Sequence, residues 1–299
     1  MISGEVPSHL LVGARTGFLA TAQPNVPITT PIAQTIQMGS KSVDIVDIGG
    51  APMPTRNRGR SQLQQMIEKK LTITPLDWDI TVDISYNAVK DDQTGELERK
   101  VRSAGENFRL DMAQKAFKAL NDGDATTNFG AGYDGLAMFS NSHVDKGAAY
   151  TTLQDNLDSL ALSLTNFETV RVKAMTTRDD QGNFCDYNYD LLVVSPSDER
   201  AAAQITDNRE DATTANRATN PYAGKLKYVV STQFDSGAWV LAASSQTIKP
   251  ILIAVRELPS LQAAWFDPNT PDGGTYYFKF YARYNHFYGD WRTAYMGKS

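Results

Sequence analysis

The sequence predicts an α+β fold, and three stretches carry that expectation. From Asn166 to Ile205 a helix pattern, a short apolar run and a second helix start follow one another with little slack. From Glu96 to Leu120 an apolar stripe at helical spacing runs longer than most globular helices. Leu76 to Asn87 and Tyr276 to Tyr288 alternate with period two and read as long strands.

Each element has a local cause. Thr165 and Glu168 form a Thr-x-x-Glu capping box. Behind it Phe167, Val170 and Ala174 share one helix face, and Asp179-Asp180-Gln181-Gly182-Asn183 breaks the pattern with turn chemistry. Leu191-Leu192-Val193-Val194 is the kind of run that makes a strand buried on both faces. Ser195-Pro196-Ser197-Asp198 then offers a hydroxyl N-cap, a proline at the first helical position and an acid at the third. In the long helix Leu97, Val101, Ala104, Phe108, Met112, Ala113, Phe117 and Leu120 make the stripe. Thr94 is its candidate cap and Asn121-Asp122-Gly123 its stop. At 1.5 Å per residue it reaches about 38 Å, enough for a spine on which other elements are laid.

Composition narrows the function. A chain of 299 residues predicts about two domains and a sizeable core. A net charge of −5 argues against a dedicated nucleic-acid binder, which concentrates basic charge on one face. The single cysteine, Cys185, leaves no internal disulfide and fits a reducing compartment. The first residues lack the basic and apolar regions of a signal peptide, and no run of 18 apolar residues predicts a membrane span.

Along the chain, residues 1–38 hold two charged groups, Glu5 and Arg15, and prolines at 7, 24, 27 and 31; they read as an extended arm lying on another surface. Residues 39–90 read as a long antiparallel excursion. Val43 to Ile48 leads out, Gly49-Gly50-Ala51-Pro52-Met53-Pro54 and the basic tip Arg56, Arg58 and Arg60 follow, and the alternating strand from Leu76, which carries Trp78, leads back. Asp207 to Lys227 is polar and turn-rich, the kind of long loop that is functional or mobile. Strands follow at 228–230, 239–242 and 251–255, then a loop at Pro268, Pro271 and Gly273-Gly274, then the terminal strand.

Sites for chemistry are scarce. Gly130-Ala131-Gly132-Tyr133-Asp134-Gly135 matches the dinucleotide fingerprint G-x-G-x-x-G, with Asp155 twenty residues on, but lacks the strand before it and the helix after it. His9, His143 and His286 share no metal-ligand spacing with Cys185. Asp122-Gly123-Asp124 opens like a calcium loop but has Tyr133 where the closing glutamate belongs. No catalytic residue, cofactor site or metal site is expected.

With no active site, a charge-poor arm, a long excursion and a spine helix, the chain suits a subunit made to touch other subunits. Asp134-Gly135-Leu136-Ala137-Met138-Phe139-Ser140-Asn141-Ser142-His143 resembles the segment after the spine helix in Mu-like phage major head subunits. So do the 165–205 stretch, Asn220-Pro221-Tyr222-Ala223-Gly224, Trp239-Val240-Leu241-Ala242 and Gly289-Asp290-Trp291-Arg292-Thr293-Ala294-Tyr295, in that order over about residues 95–299. The resemblance implies the Hong Kong 97 (HK97-like) capsid fold. Its N-terminal arm is 1–38, its extended β-hairpin loop 39–90, its peripheral domain 91–164 with 256–299, and its axial domain 165–255. The implied function is a major capsid protein of a bacteriophage head that self-assembles into pentamers and hexamers around double-stranded DNA. Scaffold, portal and decoration proteins are implied partners, with no membrane involved and assembly in the bacterial host cytoplasm. Arg56, Arg58, Arg60 and Trp78 are the candidate subunit-interface residues. An encapsulin-like compartment is the alternative within the fold, and an oxidoreductase built on the Gly130–Gly135 loop the alternative outside it.

Overall fold

The computed structural model describes residues 31–48, 68–85, 96–144, 150–207, 220–266 and 275–299. Its first half holds β1 (Ala33–Gln37), β2 (Val43–Ile48), β3 (Glu68–Ile73), β4 (Leu76–Ser85), α1 (Glu96–Asn121) and β5 (Leu157–Asp158). Then come α2 (Leu164–Met175), β6 (Leu191–Val194), α3 (Glu199–Thr206), β7 (Lys227–Val230) and β8 (Ala238–Ala242). The chain ends with β9 (Ile251–Phe266), β10 (Thr275–Tyr288) and β11 (Ala294–Lys298). They form one sheet in the order β1-β9-β10-β4, a second in the order β5-β11-β8-β6-β7, and the ribbon β2-β3.

The alternation predicted for the terminal strand is the organising fact of the first sheet. Tyr276, Phe278, Phe280, Ala282, Tyr284, His286 and Tyr288 of β10 are all buried, and α1 lies across them. Ala104, Phe108, Met112, Ala116 and Phe117 of α1 join these side chains in one core. Register along this packing is fixed by polar contacts at the apolar seam. The Tyr284 hydroxyl donates to the Asp111 carboxylate, His286 Nε2 meets the Met112 carbonyl at 2.9 Å, and the Tyr288 hydroxyl donates to the Ala119 carbonyl at 3.1 Å.

The second sheet is buried on both faces, as the run Leu191 to Val194 predicts. Leu191 and Val193 of β6, with Val240 of β8 and Met296 of β11, join the spine-helix core. Leu192, Val194, Trp239, Leu241 and Tyr295 face the other way, onto Phe167, Val170 and Ala174 of α2 and Ala202 and Ile205 of α3. The end of α3 is tied off by the 220–224 segment, where Asn220 Nδ2 donates to the Ile205 carbonyl at 2.8 Å and Gly224 N to that of Thr206 at 2.8 Å.

Several expectations need correction. The return strand of the excursion is β3, which pairs antiparallel with β2 from Val43↔Ile73 to Ile48↔Glu68. The alternating strand β4 instead pairs with β10, from Leu76↔Tyr284 to Ser85↔Thr275, because its apolar side completes the face under α1. Strand membership also crosses the expected 255/256 division: Ile251 to Val255 belong to the first sheet, while β11 closes onto β8 in the second. The N-cap of α2 is Ser163, whose extended backbone lets Oγ accept from Asn166 N at 3.2 Å; Thr165 is already inside the helix. Ser195 does precede Pro196, but its hydroxyl donates to Asp198 at 2.6 Å instead of capping a backbone N–H. Finally, β9 runs to Phe266 past a proline. Leu258 and Pro259 sit opposite Ala282 in a bulge, where the missing proline N–H costs no ladder bond. The Thr94 cap, the turn at 268–274 and all of 208–219 lie outside the described residues.

Candidate functional site

The basic tip Arg56, Arg58 and Arg60 lies outside the described residues. The ribbon that leads to it is described, and its root is anchored: Met38, Val43, Leu71 and Ile73 pack with Ala254 and Phe287. Farther out, Asp44 accepts from Lys70 at 2.8 Å and Thr72 at 2.7 Å across the strands. Those hydrogen bonds hold the exposed Asp44 carboxyl below the usual carboxylate range. Both outer edges of the ribbon carry free backbone groups among the described residues, and a lone two-stranded ribbon is marginal in water. It is built to lie on something.

Trp78, the fourth expected interface residue, is half-buried and engaged within its own subunit. Its indole N–H donates to the Tyr284 carbonyl at 2.9 Å, and the two rings stack at 5.7 Å and 23°. Lys115 Nζ lies 3.0 Å from the centre of the Trp78 ring and 2.6 Å from Asp111 Oδ2. Burial, then the Asp111 hydrogen bond and charge, push the Tyr284 hydroxyl well above its ordinary value, so it stays a donor. Together with Ile80, Phe108 and Leu110 these residues line a groove of about 410 Å³ between α1 and β4. Apolar side chains from both elements line it together with Asp79 of β4 and Asp111 and Lys115 of α1, an arrangement suited to docking.

The G-x-G-x-x-G loop serves packing. Gly130 and Gly135 both adopt φ of 83°, the left-handed region that favours glycine. The intervening Asp134 is buried, and its Oδ2 lies 2.5 Å from His143 Nδ1. His143 Nε2 meets Asn156 Oδ1 at 3.0 Å, and the ring stacks on Trp291 at 4.1 Å and 3°. Asn156 Nδ2 donates to the carbonyls of Met138, Trp291 and Ala294, which fixes its Oδ1 toward the histidine. Both ring nitrogens of His143 therefore face side-chain oxygens. This buried knot ties the loop after α1 to the segment that carries the chain from β10 to β11. Sequence reading noted Asp134 and His143 in one run, but nothing local signalled that Asn156 and Trp291 would join them.

The remaining candidates are also accounted for structurally. Burial pushes the Cys185 thiol up to about 12, which leaves no thiolate for nucleophilic work. Asp122 and Asp124 pair with Lys118 at 3.0 Å and Lys298 at 2.9 Å, and Asp155 with Lys173 at 3.1 Å. Among the described residues no group of three metal-ligating side chains converges, and no helix is long and apolar enough to cross a membrane. His9 lies outside the described residues.

A likeness to solved structures follows this architecture. The capsid of bacteriophage JBD30 decorated with minor capsid protein trimers matches with a TM-score of 0.58 at 16% identity, over 73% of this chain and 94% of that one. The capsid of an empty GTA particle matches at 0.57 and 12% identity, over 91% and 89%. The capsid of cyanophage P-SCSP1u matches at 0.59 and 10% identity, over 100% and 91%. Comparison with curated protein sequences returns no match. The fold is thus the HK97-like capsid fold, a mixed α+β architecture. The phage capsid protein family matches residues 68–296, and the chain belongs to it. It is a major capsid shell protein of a bacteriophage head, a structural subunit and not an enzyme.

Proposed function

We propose that this subunit assembles as pentamers and hexamers into an icosahedral head that encloses double-stranded DNA, in the manner of Mu-like phages. The observation that carries the reading is the β2–β3 ribbon, a two-stranded element anchored only at its root among the described residues. Laid on a neighbour, it buries apolar and backbone groups that a lone subunit leaves to water. The tip Arg56, Arg58 and Arg60 meets an acidic patch on that neighbour and sets register more than affinity. Trp78, held between Lys115 and Tyr284, stiffens the wall of the groove against which a neighbour rests. An acidic subunit suits a shell that confines DNA without gripping it, since tight phosphate contacts would resist packaging. Scaffold, portal and decoration proteins would be its partners, and assembly would take place in the host cytoplasm.

Electron microscopy of the purified chain under assembly conditions tests the reading, with closed shells expected and a compact monomer as the refuting outcome. Replacing Arg56, Arg58 and Arg60 together by glutamate should impair assembly and leave the subunit folded; normal particles would remove the tip from the mechanism. Shell contents decide between a phage head and an encapsulin-like compartment, which would hold protein cargo in place of DNA.

A further inference from the structure

The first sheet ends in a bare edge. β4 is ten residues long, and among the described residues it pairs with β10 alone, so its outer edge leaves backbone groups open. Such an edge is a template for another strand. The apolar side of β4 lies under α1, while Asp77, Asp79, Thr81, Asp83 and Ser85 are all exposed on the other side. Aspartate is among the residues least suited to a strand, and three of them share this face.

Charge on that face alternates from strand to strand. Arg283 of β10 stands between Glu257 of β9 and Asp77 of β4, its guanidinium 3.5 Å from the first carboxylate and 2.6 Å from the second. Farther along β10, Lys279 lies 3.6 Å from Asp79. The series runs acid on β9, base on β10 and acid on β4, and stops at the bare edge. A strand added there continues it by bringing a cation at every second position, because opposite charges across strands stabilise a sheet and like charges destabilise it.

One stretch of the chain has that pattern. Of the segments outside the described residues, 1–30, 145–149 and 208–219 carry as many acids as bases, and 86–95 and 267–274 are acidic. Residues 49–67 alone are net positive: Arg56, Arg58 and Arg60 are their charged residues. Separated by Asn57 and Gly59, the arginines would share one face of an extended strand at steps of about 7 Å, the steps that part Asp77, Asp79 and Thr81 along β4. Their own β4 is poorly placed to receive them. β3 passes into β4 through Thr74 and Pro75 with no turn, and the root of the ribbon packs on Phe287, past the Leu76 end of β4. The ribbon therefore leads the arginines away from the sheet of their own subunit and toward another.

We infer that the bare edge of β4 receives residues 56–60 of a second copy of the chain as an added strand, with Arg56, Arg58 and Arg60 beside the column that holds Asp77, Asp79 and Asp83. Backbone pairing along the edge supplies the hold, and the charges choose the partner and its register. Asp79 also lines the groove along α1, so the added strand would lie at the rim of that groove. The inference rests on the reading of the arginine tip given above and names the acidic surface which that tip meets.

The test uses four full-length chains: wild type, D79K/D83K, R56E/R58E/R60E, and one carrying both sets. Assembly is followed by light scattering and electron microscopy, and the melting temperature of each unassembled subunit is measured. Each set alone is expected to raise the protein concentration needed for assembly by about tenfold or more, and the combined chain to recover most of that loss. Normal assembly of D79K/D83K overturns the inference and leaves the tip reading standing. Loss of assembly in D79K/D83K with no recovery in the combined chain also overturns it, giving the edge to a different partner. So does a recovery of assembly that comes with a recovered melting temperature of the unassembled subunit, which would put the contact inside one chain. Normal assembly of R56E/R58E/R60E would instead remove the tip reading beneath the inference, and failure of the wild type to assemble would remove the shell reading itself.

Discussion

Gly297 of β11 pairs directly with Trp239 of β8, and the glycine exists for the indole. A Cβ at Gly297 would fall 2.3 Å from Trp239 Cε2, 2.4 Å from Nε1 and 2.5 Å from Cζ2. The ring cannot step aside cheaply, because Trp239 is fully buried and its N–H donates to the Leu160 carbonyl at 2.9 Å. Gly297→Ala therefore overpacks the core at about 1–3 kcal/mol and strains or breaks a bond worth about 1 kcal/mol. Replacing a strand glycine returns about 0.5–1 kcal/mol of backbone entropy, leaving a net loss of about 2 kcal/mol. For a chain of 299 residues that lowers the melting temperature by about 3 °C, read by calorimetry on unassembled subunits. Trimming the ring with Trp239→Phe in the same chain should recover about 1 kcal/mol relative to the sum of the single changes. A Gly297→Ala subunit that melts within about 1 °C of wild type, or above it, would refute the steric argument.

Burial holds His286 neutral, its pKa lowered to about 4 against the pull of the Met112 carbonyl. The unfolded chain then takes up a proton more readily than the folded one. Stability should be fullest above pH 6.5 and fall by about 3 kcal/mol as pH drops toward 4, a slope that urea melts should find flattened in His286→Gln. His143→Ala removes the partner of the buried Asp134 side chain and should cost at least about 2 kcal/mol in urea unfolding; a loss below about 1 kcal/mol would deny the knot its role. Trp78 and Lys115 should couple by at least about 0.5 kcal/mol in a double-mutant cycle with Trp78→Phe and Lys115→Met, and a null coupling would show the stacked ammonium to be idle.

What could be read from the sequence was whatever a single element states about itself. The stripe of α1, the alternation of β10 and the two-faced burial of β6 each follow from periodicity within one segment. Pairing partners do not. β4 looked like the return arm of the excursion because it comes soon after it, yet it pairs with a strand some two hundred residues away, whose apolar face it extends. Pro259 hid the second half of β9, since a bulge that tolerates proline is set by the neighbouring strand. The Ser163 cap lost to Thr165 in the reading because both offer a hydroxyl, and only backbone geometry tells them apart. The knot around His143 was invisible for a stronger reason: Asp134, Asn156 and Trp291 converge through three separate segments, and no spacing encodes that.

The same contrast bears on how such a subunit works. Two polar clusters between segments are closed within the chain: His143 has Asp134 and Asn156, and Asp190 takes both the backbone and the hydroxyl of Ser244, at 2.8 and 2.7 Å. Such networks fix one arrangement of the two sheets, because a half-formed network costs more than none. The unmet demands sit elsewhere. β1 stops covering β9 at Val255, and the ribbon's outer edges stay open among the described residues. A subunit whose segments are joined by such internal networks, and which leaves backbone groups open along its edges, can join many neighbours without remodelling its own core. Assembly then draws on free energy that folding has left unspent.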